Sequence, residues 1–130
     1  MKSDDDYKKS LTELEYFVTR KKGTEPAFSG CFWDHHESGI YICKCCKIKL
    51  FNSDDKYDSG SGWPSYSKPI QSSLIIEEVD SNFGMTRVEI ICKNCNSHLG
   101  HVFNDGPKPT GLRYCVNSAS LSFISKSIQE

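Results

Sequence analysis

The sequence predicts a β-rich, antiparallel domain with a short N-terminal helix and a metal at one end. Three observations carry that expectation. Segments of alternating polarity recur along the chain, Gly39 to Cys43 (GIYIC), MTRVEIIC and SLSFI among them, with SLIIEEVD as a further strand segment, and alternation is the mark of a half-buried strand. Turn residues separate them, as at Ser81-Asn82-Phe83-Gly84, which joins two such segments into a hairpin. Two Cys-x-x-Cys pairs, Cys43/Cys46 and Cys92/Cys95, end two of the strands and have the spacing of metal knuckles.

At the N-terminus, residues 1–9 are charged and include the run Asp4-Asp5-Asp6, which reads as a solvated, mobile end. Ser10-Leu11-Thr12-Glu13 has the form of a capping box, and Leu11, Leu14, Phe17 and Val18 follow at helical spacing. A short amphipathic helix is expected over about Leu11 to Thr19. Lys21 to Gly30 holds Gly23, Pro26 and Gly30 and reads as a surface loop. In the stretch SGCFWDHHESG, Cys31 precedes two aromatic residues, and His35 and His36 sit in a polar turn with no spaced ligand partner, so a surface role is assigned to them.

The two knuckles together satisfy tetrahedral zinc with four sulfurs, although four thiolates accept iron as well. A thioredoxin-type redox pair is the rival reading of either one. Two of them, without a βαβ pattern, favour the closed metal site. Forty-five residues separate Cys46 from Cys92, so a metal there clips together distant parts of one domain. Cys45 is read as a spectator. With 130 residues the chain is one domain, of a size that gains from such a staple.

A net charge of -1 gives no positive field to attract nucleic acid or an anionic membrane, and no apolar run reaches the length of a membrane span. Seven cysteines behind an N-terminus without an apolar secretory core point to metal and thiol chemistry in the cytoplasm.

Candidate chemistry is concentrated between Glu89 and Phe123. Leu112 to Val116 (LRYCV) leaves the turn Pro109-Thr110-Gly111 as a strand, which puts Arg113, Cys115 and Asn117 on one face. A fixed cation beside a thiol favours the nucleophilic thiolate. Upstream, Gly100 in HLGHVF permits a bend that brings His98 and His101 to one side, where imidazoles can move protons near neutral pH. Trp63, in SGSGWPSY, is either core or an indole platform for an apolar or sulfur-bearing group. A zinc module that only binds a partner requires none of the LRYCVN face, and a general disulfide oxidoreductase requires a metal-free CxxC.

The segments TEPAFSG, WDHHESGIY, SGSGWPSY, VEIICKNCNSHLGHVFNDGP and PTGLRYCVNSASLSF stand in an order that resembles the methionine-R-sulfoxide reductases of the B type, over roughly Thr24 to Phe123. The resemblance implies two twisted antiparallel sheets with flanking helices and a structural zinc held by Cys43, Cys46, Cys92 and Cys95. It implies Cys115 as the nucleophile on the sulfoxide sulfur, with His98 and His101 binding and protonating the oxygen. Asn117 would position the histidines and water, Trp63 would receive the substrate methyl, and Arg113 would match the arginine preceding the nucleophile.

Attack leaves Cys115 as a sulfenic acid, which a second thiol converts to a disulfide. Many members place that thiol where this chain has Ser61. Cys31 is the first candidate to replace it, ahead of Cys45 or an external thiol. Methionine-R-sulfoxide, free or in proteins, is the implied substrate and thioredoxin the reductant, with the protein acting as a monomer.

Overall fold

The computed structural model describes residues 4–81, 84 and 86–126. Met1 to Ser3, and Asn82, Phe83 and Met85 of the hairpin connection, lie outside them. Among the described residues nine strands form two antiparallel sheets, which bears out the expected fold class. The smaller has the order β2 (Lys49–Asn52), β1 (Gly39–Cys43), β9 (Leu121–Ser125). In the larger the order is β3 (Lys56–Tyr57), β4 (Ser65–Tyr66), β8 (Arg113–Val116), β7 (His98–Phe103), β6 (Arg87–Cys92), β5 (Ile75–Asp80). Buried Tyr41, Phe51, Tyr66, Leu50, Ile90 and Leu99 form the core, with the Phe51 and Tyr66 rings stacked 4.3 Å apart.

The N-terminus differs from expectation in three ways. Residues Asp4–Ser10 are helical (α1) rather than a mobile end, because Tyr7 is buried in the core with the Arg20 guanidinium 4.5 Å from its ring centre. The second helix, α2, spans Glu13–Lys21, and its capping box is two residues later than predicted. Glu15 N donates to Thr12 Oγ1 (3.1 Å) and Thr12 N donates to Glu15 Oε1 (2.9 Å), whereas Ser10 Oγ donates back to Tyr7 O at the end of α1. Finally, Leu14 and Phe17 are 45% and 50% exposed, so Val18 and Thr19 make the buried stripe. Thr12→Ala removes an N-cap and is expected to cost about 1 kcal/mol, read as a lower urea midpoint at unchanged slope.

Helix α2 matters because it reaches both metal knuckles. Glu15 Oε2 pairs with Lys44 Nζ (3.2 Å) in the first. Arg20 Nη1 donates to Cys95 O (2.9 Å) and to Ser97 Oγ (3.0 Å) in the second. The knuckles share one backbone plan. Lys47 N donates to Cys43 O and Cys43 N to Ile48 O; Asn96 N donates to Cys92 O and Cys92 N to Ser97 O. Lys47 and Asn96 both have positive φ, the turn that closes each loop. After α2 the chain does not stay on the surface as predicted: Glu25 is 1% exposed, its Oε1 accepting from Ala119 N (2.8 Å).

Candidate active site

Cys43, Cys46, Cys92 and Cys95 bring their sulfurs within 4.8 Å of one another. The Cys43–Cys95 and Cys46–Cys92 separations are 3.6 and 3.7 Å. Tetrahedral zinc with bonds of about 2.3 Å has a sulfur–sulfur edge of about 3.8 Å, so the donors fit a tetrahedral dication. Bonds to Cys45 first, then to the other three cysteines, push the Cys43 thiol up, while the bond with Cys43 pulls Cys46 down to about 6. Four thiolates at this spacing need a cation between them. Cys45 is buried beside this cluster.

The second site lies on the large sheet. Glu89, His101, Cys115 and Ser65 are successive cross-strand partners on β6, β7, β8 and β4, so their side chains form a row on one face. His98 would lie on the other face of an unbroken strand. It joins the row because β7 carries an extra residue: Ile90 pairs with Gly100, but Ile91 pairs with His98, leaving Leu99 as a bulge. The two imidazole rings then meet edge to face, 5.7 Å apart. Gly100 is required at this point, since a Cβ there would collide with the backbone carbonyl of Cys115.

A cavity of about 350 Å³ opens over the row, lined by Ser61, Trp63, Arg87, His101, Arg113, Cys115 and Asn117 among others. Cys115 is half-buried in it. Burial raises its thiol above the usual range; Arg113 and the Ser61 hydroxyl pull it back only in part. The expectation that Arg113 alone would favour thiolate therefore needs correction, because desolvation outweighs the cation. Arg113 is itself held by Asp105, Nε to Oδ1 at 2.9 Å, and lies 4.3 Å from the Phe103 ring centre. Trp63 is half-buried, and its Nε1 donates to Glu25 O (2.9 Å), which fixes the indole in the wall.

His101 Nε2 is 2.9 Å from Asp80 Oδ2, and Arg87 Nη2 reaches the same oxygen at 3.3 Å. His98 does not line the cavity. It is 4% exposed, its Nδ1 is 2.7 Å from Glu89 Oε2 and its buried Nε2 has no partner. Burial lowers the basicity of His98, partly offset by Glu89. The Asn117 amide bonds backbone rather than either ring: its Oδ1 accepts from Glu25 N (3.0 Å) and its Nδ2 donates to Leu99 O (3.1 Å), tying the loop before β1 to the bulge. Cys31 is exposed on that loop and does not line the cavity. His35, away from the cavity, bonds Tyr41 Oη (2.6 Å) and packs on Phe123, while His36 pairs with Asp34.

Sequence reasoning missed Glu89, Asp80 and Glu25. Glu89 left a signal, a charge within the apolar run Val88-Ile90-Ile91. Asp80 left none, because its partners follow from the β5–β6 register, Asp80 opposite Arg87.

A model of the SelR domain family matches residues 11–125. Peptide methionine sulfoxide reductase MsrB of Acinetobacter baumannii is 57% identical over 120 residues, 92% of this chain and 86% of that protein. This chain belongs to the MsrB family. MsrB of Acinetobacter baylyi matches to the same extent, and that of Leptospira interrogans is 55% identical over 94% of this chain and 93% of its own. MsrB proteins are enzymes, and the cavity around Cys115 is the place to seek the chemistry here. None of the helices described is long and apolar enough to cross a membrane.

Proposed function

We propose that this protein reduces methionine-R-sulfoxide, free or within proteins, to methionine at Cys115. The observation that carries this reading is the direct pairing of Cys115 with His101 across β8 and β7, both lining a cavity walled by an oriented tryptophan. The sulfoxide methyl would rest on the Trp63 indole, to which sulfur and methyl groups are attracted. The Cys115 sulfur attacks the sulfoxide sulfur and the oxygen takes a proton. Methionine leaves as the thioether, and the oxygen is retained on Cys115 as sulfenic acid. His101, with Nε2–H given to Asp80, has Nδ1 free to take the proton from the Cys115 thiol and pass it to the sulfoxide oxygen. His98, sealed behind it against Glu89, holds the His101 ring and its surroundings. Arg113, braced by Asp105, supplies fixed positive charge, and Asn117 holds the bulge on which both histidines depend.

Because burial keeps the Cys115 proton on sulfur at neutral pH, the thiolate fraction rises with pH through and beyond the ordinary thiol range. Alkylation of Cys115 by iodoacetamide is therefore expected to accelerate at each step up to about pH 9. A plateau already reached near neutrality would contradict the dominance of burial.

We further propose that Cys31 resolves the sulfenic acid, its thiol displacing water to form a disulfide that thioredoxin reduces in the cytoplasm. Its exposure makes it accessible to a reductant, and because it does not line the cavity, the disulfide with Cys115 would bring the loop that carries it towards the cavity. Cys31→Ser is expected to retain single-turnover reduction and lose thioredoxin-dependent cycling; undiminished cycling would reject Cys31. The four-cysteine site is assigned to structural zinc, held by Cys43, Cys46, Cys92 and Cys95 and taking no part in the chemistry.

A further inference from the structure

Outside the cavity, the most unusual residue is Phe28. It occupies the third position of the turn Pro26-Ala27-Phe28-Ser29, closed by Ser29 N donating to Pro26 O (3.3 Å), and has φ of +63°. Glycine or asparagine suits a positive φ at that position; a bulky aromatic residue there is strained. Burial does not explain the strain, since Phe28 is 55% exposed and lies outside the core. The turn is instead fastened to the cavity wall. Phe28 N donates to Gly62 O (2.8 Å), and the ring lies against Gly62 so closely that a Cβ there would meet it at 2.8 Å. Gly62 stands between Ser61 and Trp63, two residues of the cavity lining. The Phe28 ring also meets Trp33 edge to face, 4.9 Å between centres.

An aromatic pair, half-exposed and held in a strained turn, thus stands against Gly62 beside the cavity wall without lining the cavity itself. We propose that Phe28 and Trp33 form a rim subsite that takes an apolar side chain next to the oxidised methionine in a polypeptide. The proposal rests on the reductase reading of the cavity and adds to it a preference among peptide sequences.

The test is Phe28→Gly, which deletes the ring while suiting the positive φ, so the fold is retained; an unchanged or raised melting temperature checks this. With dithiothreitol as reductant, kcat/KM is measured for free methionine-R-sulfoxide and for short peptides whose sulfoxide is flanked by alanine or by leucine. Wild type is expected to favour the leucine-flanked peptide by about tenfold, the scale of a small apolar contact. Phe28→Gly is expected to remove that preference and leave the free amino acid within about twofold. Phe28→Asn, which also tolerates the turn, should behave alike.

A preference that survives both substitutions, or an equal loss on all three substrates, overturns the proposal. A defect seen only when thioredoxin replaces dithiothreitol also overturns it, since the aromatic pair would then belong to the reductant. Failure of wild type to reduce any of the three would instead reject the reductase reading, and this subsite with it.

Discussion

Replacing Cys115 with Ser is expected to abolish even one turnover of methionine-R-sulfoxide, a loss of at least about 10³-fold, while the melting temperature changes little. The size of the effect follows from chemistry: a serine hydroxyl is a far weaker nucleophile toward sulfur, and its oxygen cannot become a sulfenic acid. Stability should hold because serine is smaller but similar in shape, and position 115 is half-buried beside other hydroxyls at Ser61 and Ser65. The check is methionine released per enzyme in the absence of reductant. A Cys115→Ser protein that still releases one equivalent would place the nucleophile elsewhere, with Cys31 the first alternative to examine.

Removal of the zinc proposed for the four-cysteine site is expected to have the second largest effect, on the fold itself. Structural zinc in a four-thiolate site contributes on the order of 10 kcal/mol, comparable to the entire stability of a domain this size. The site joins the end of β1 to the end of β6, and α2 is tied to both knuckles through Lys44, Cys95 and Ser97. Loss of the ion leaves four crowded thiols and frees that helix. Chelation under denaturant-free conditions, or Cys95→Ala, should therefore give a protein with lost near-ultraviolet circular dichroism and no cooperative thermal transition. Metal content by mass spectrometry should fall from one zinc per chain to none in parallel. An apoprotein that melts as cooperatively and at the same temperature as the metal-bound protein would show that the cluster is not a fold-stabilising site.

Features with local spacing rules were legible in the sequence. The two CxxC knuckles were readable because two thiolates on one tight loop need that interval, and their pairing followed from the tetrahedral requirement for four sulfurs. Strands β1, β6, β8 and β9 were readable from alternation, and β5 from the turn residues that join it to β6. Strand β7 is hidden in the sequence because Gly100, in its middle, suggests a bend, yet that glycine serves close approach to Cys115 within a sheet. The capping box was placed two residues early because Ser10-x-x-Glu13 and Thr12-x-x-Glu15 both fit the pattern, and the end of α1 decides between them.

What the sequence could not disclose depends on register and burial. The bulge at Leu99 that puts His98 beside His101, and the pairing of those rings with Glu89 and Asp80, arise from strand alignment over long separations. The balance between Arg113 and burial at Cys115 needs the cavity itself, since a flanking cation is visible in a sequence and desolvation is not.

The most direct measurement is the state of Cys115 after reaction without reductant. The protein, carrying Cys31→Ser so that no disulfide can consume the product, is mixed with one equivalent of either the R or the S epimer of methionine sulfoxide and then with dimedone. Peptide mass spectrometry should find the dimedone adduct on Cys115 alone, formed with the R epimer and not with the S. An unmodified Cys115, an adduct on another cysteine, or equal labelling by both epimers would contradict the account.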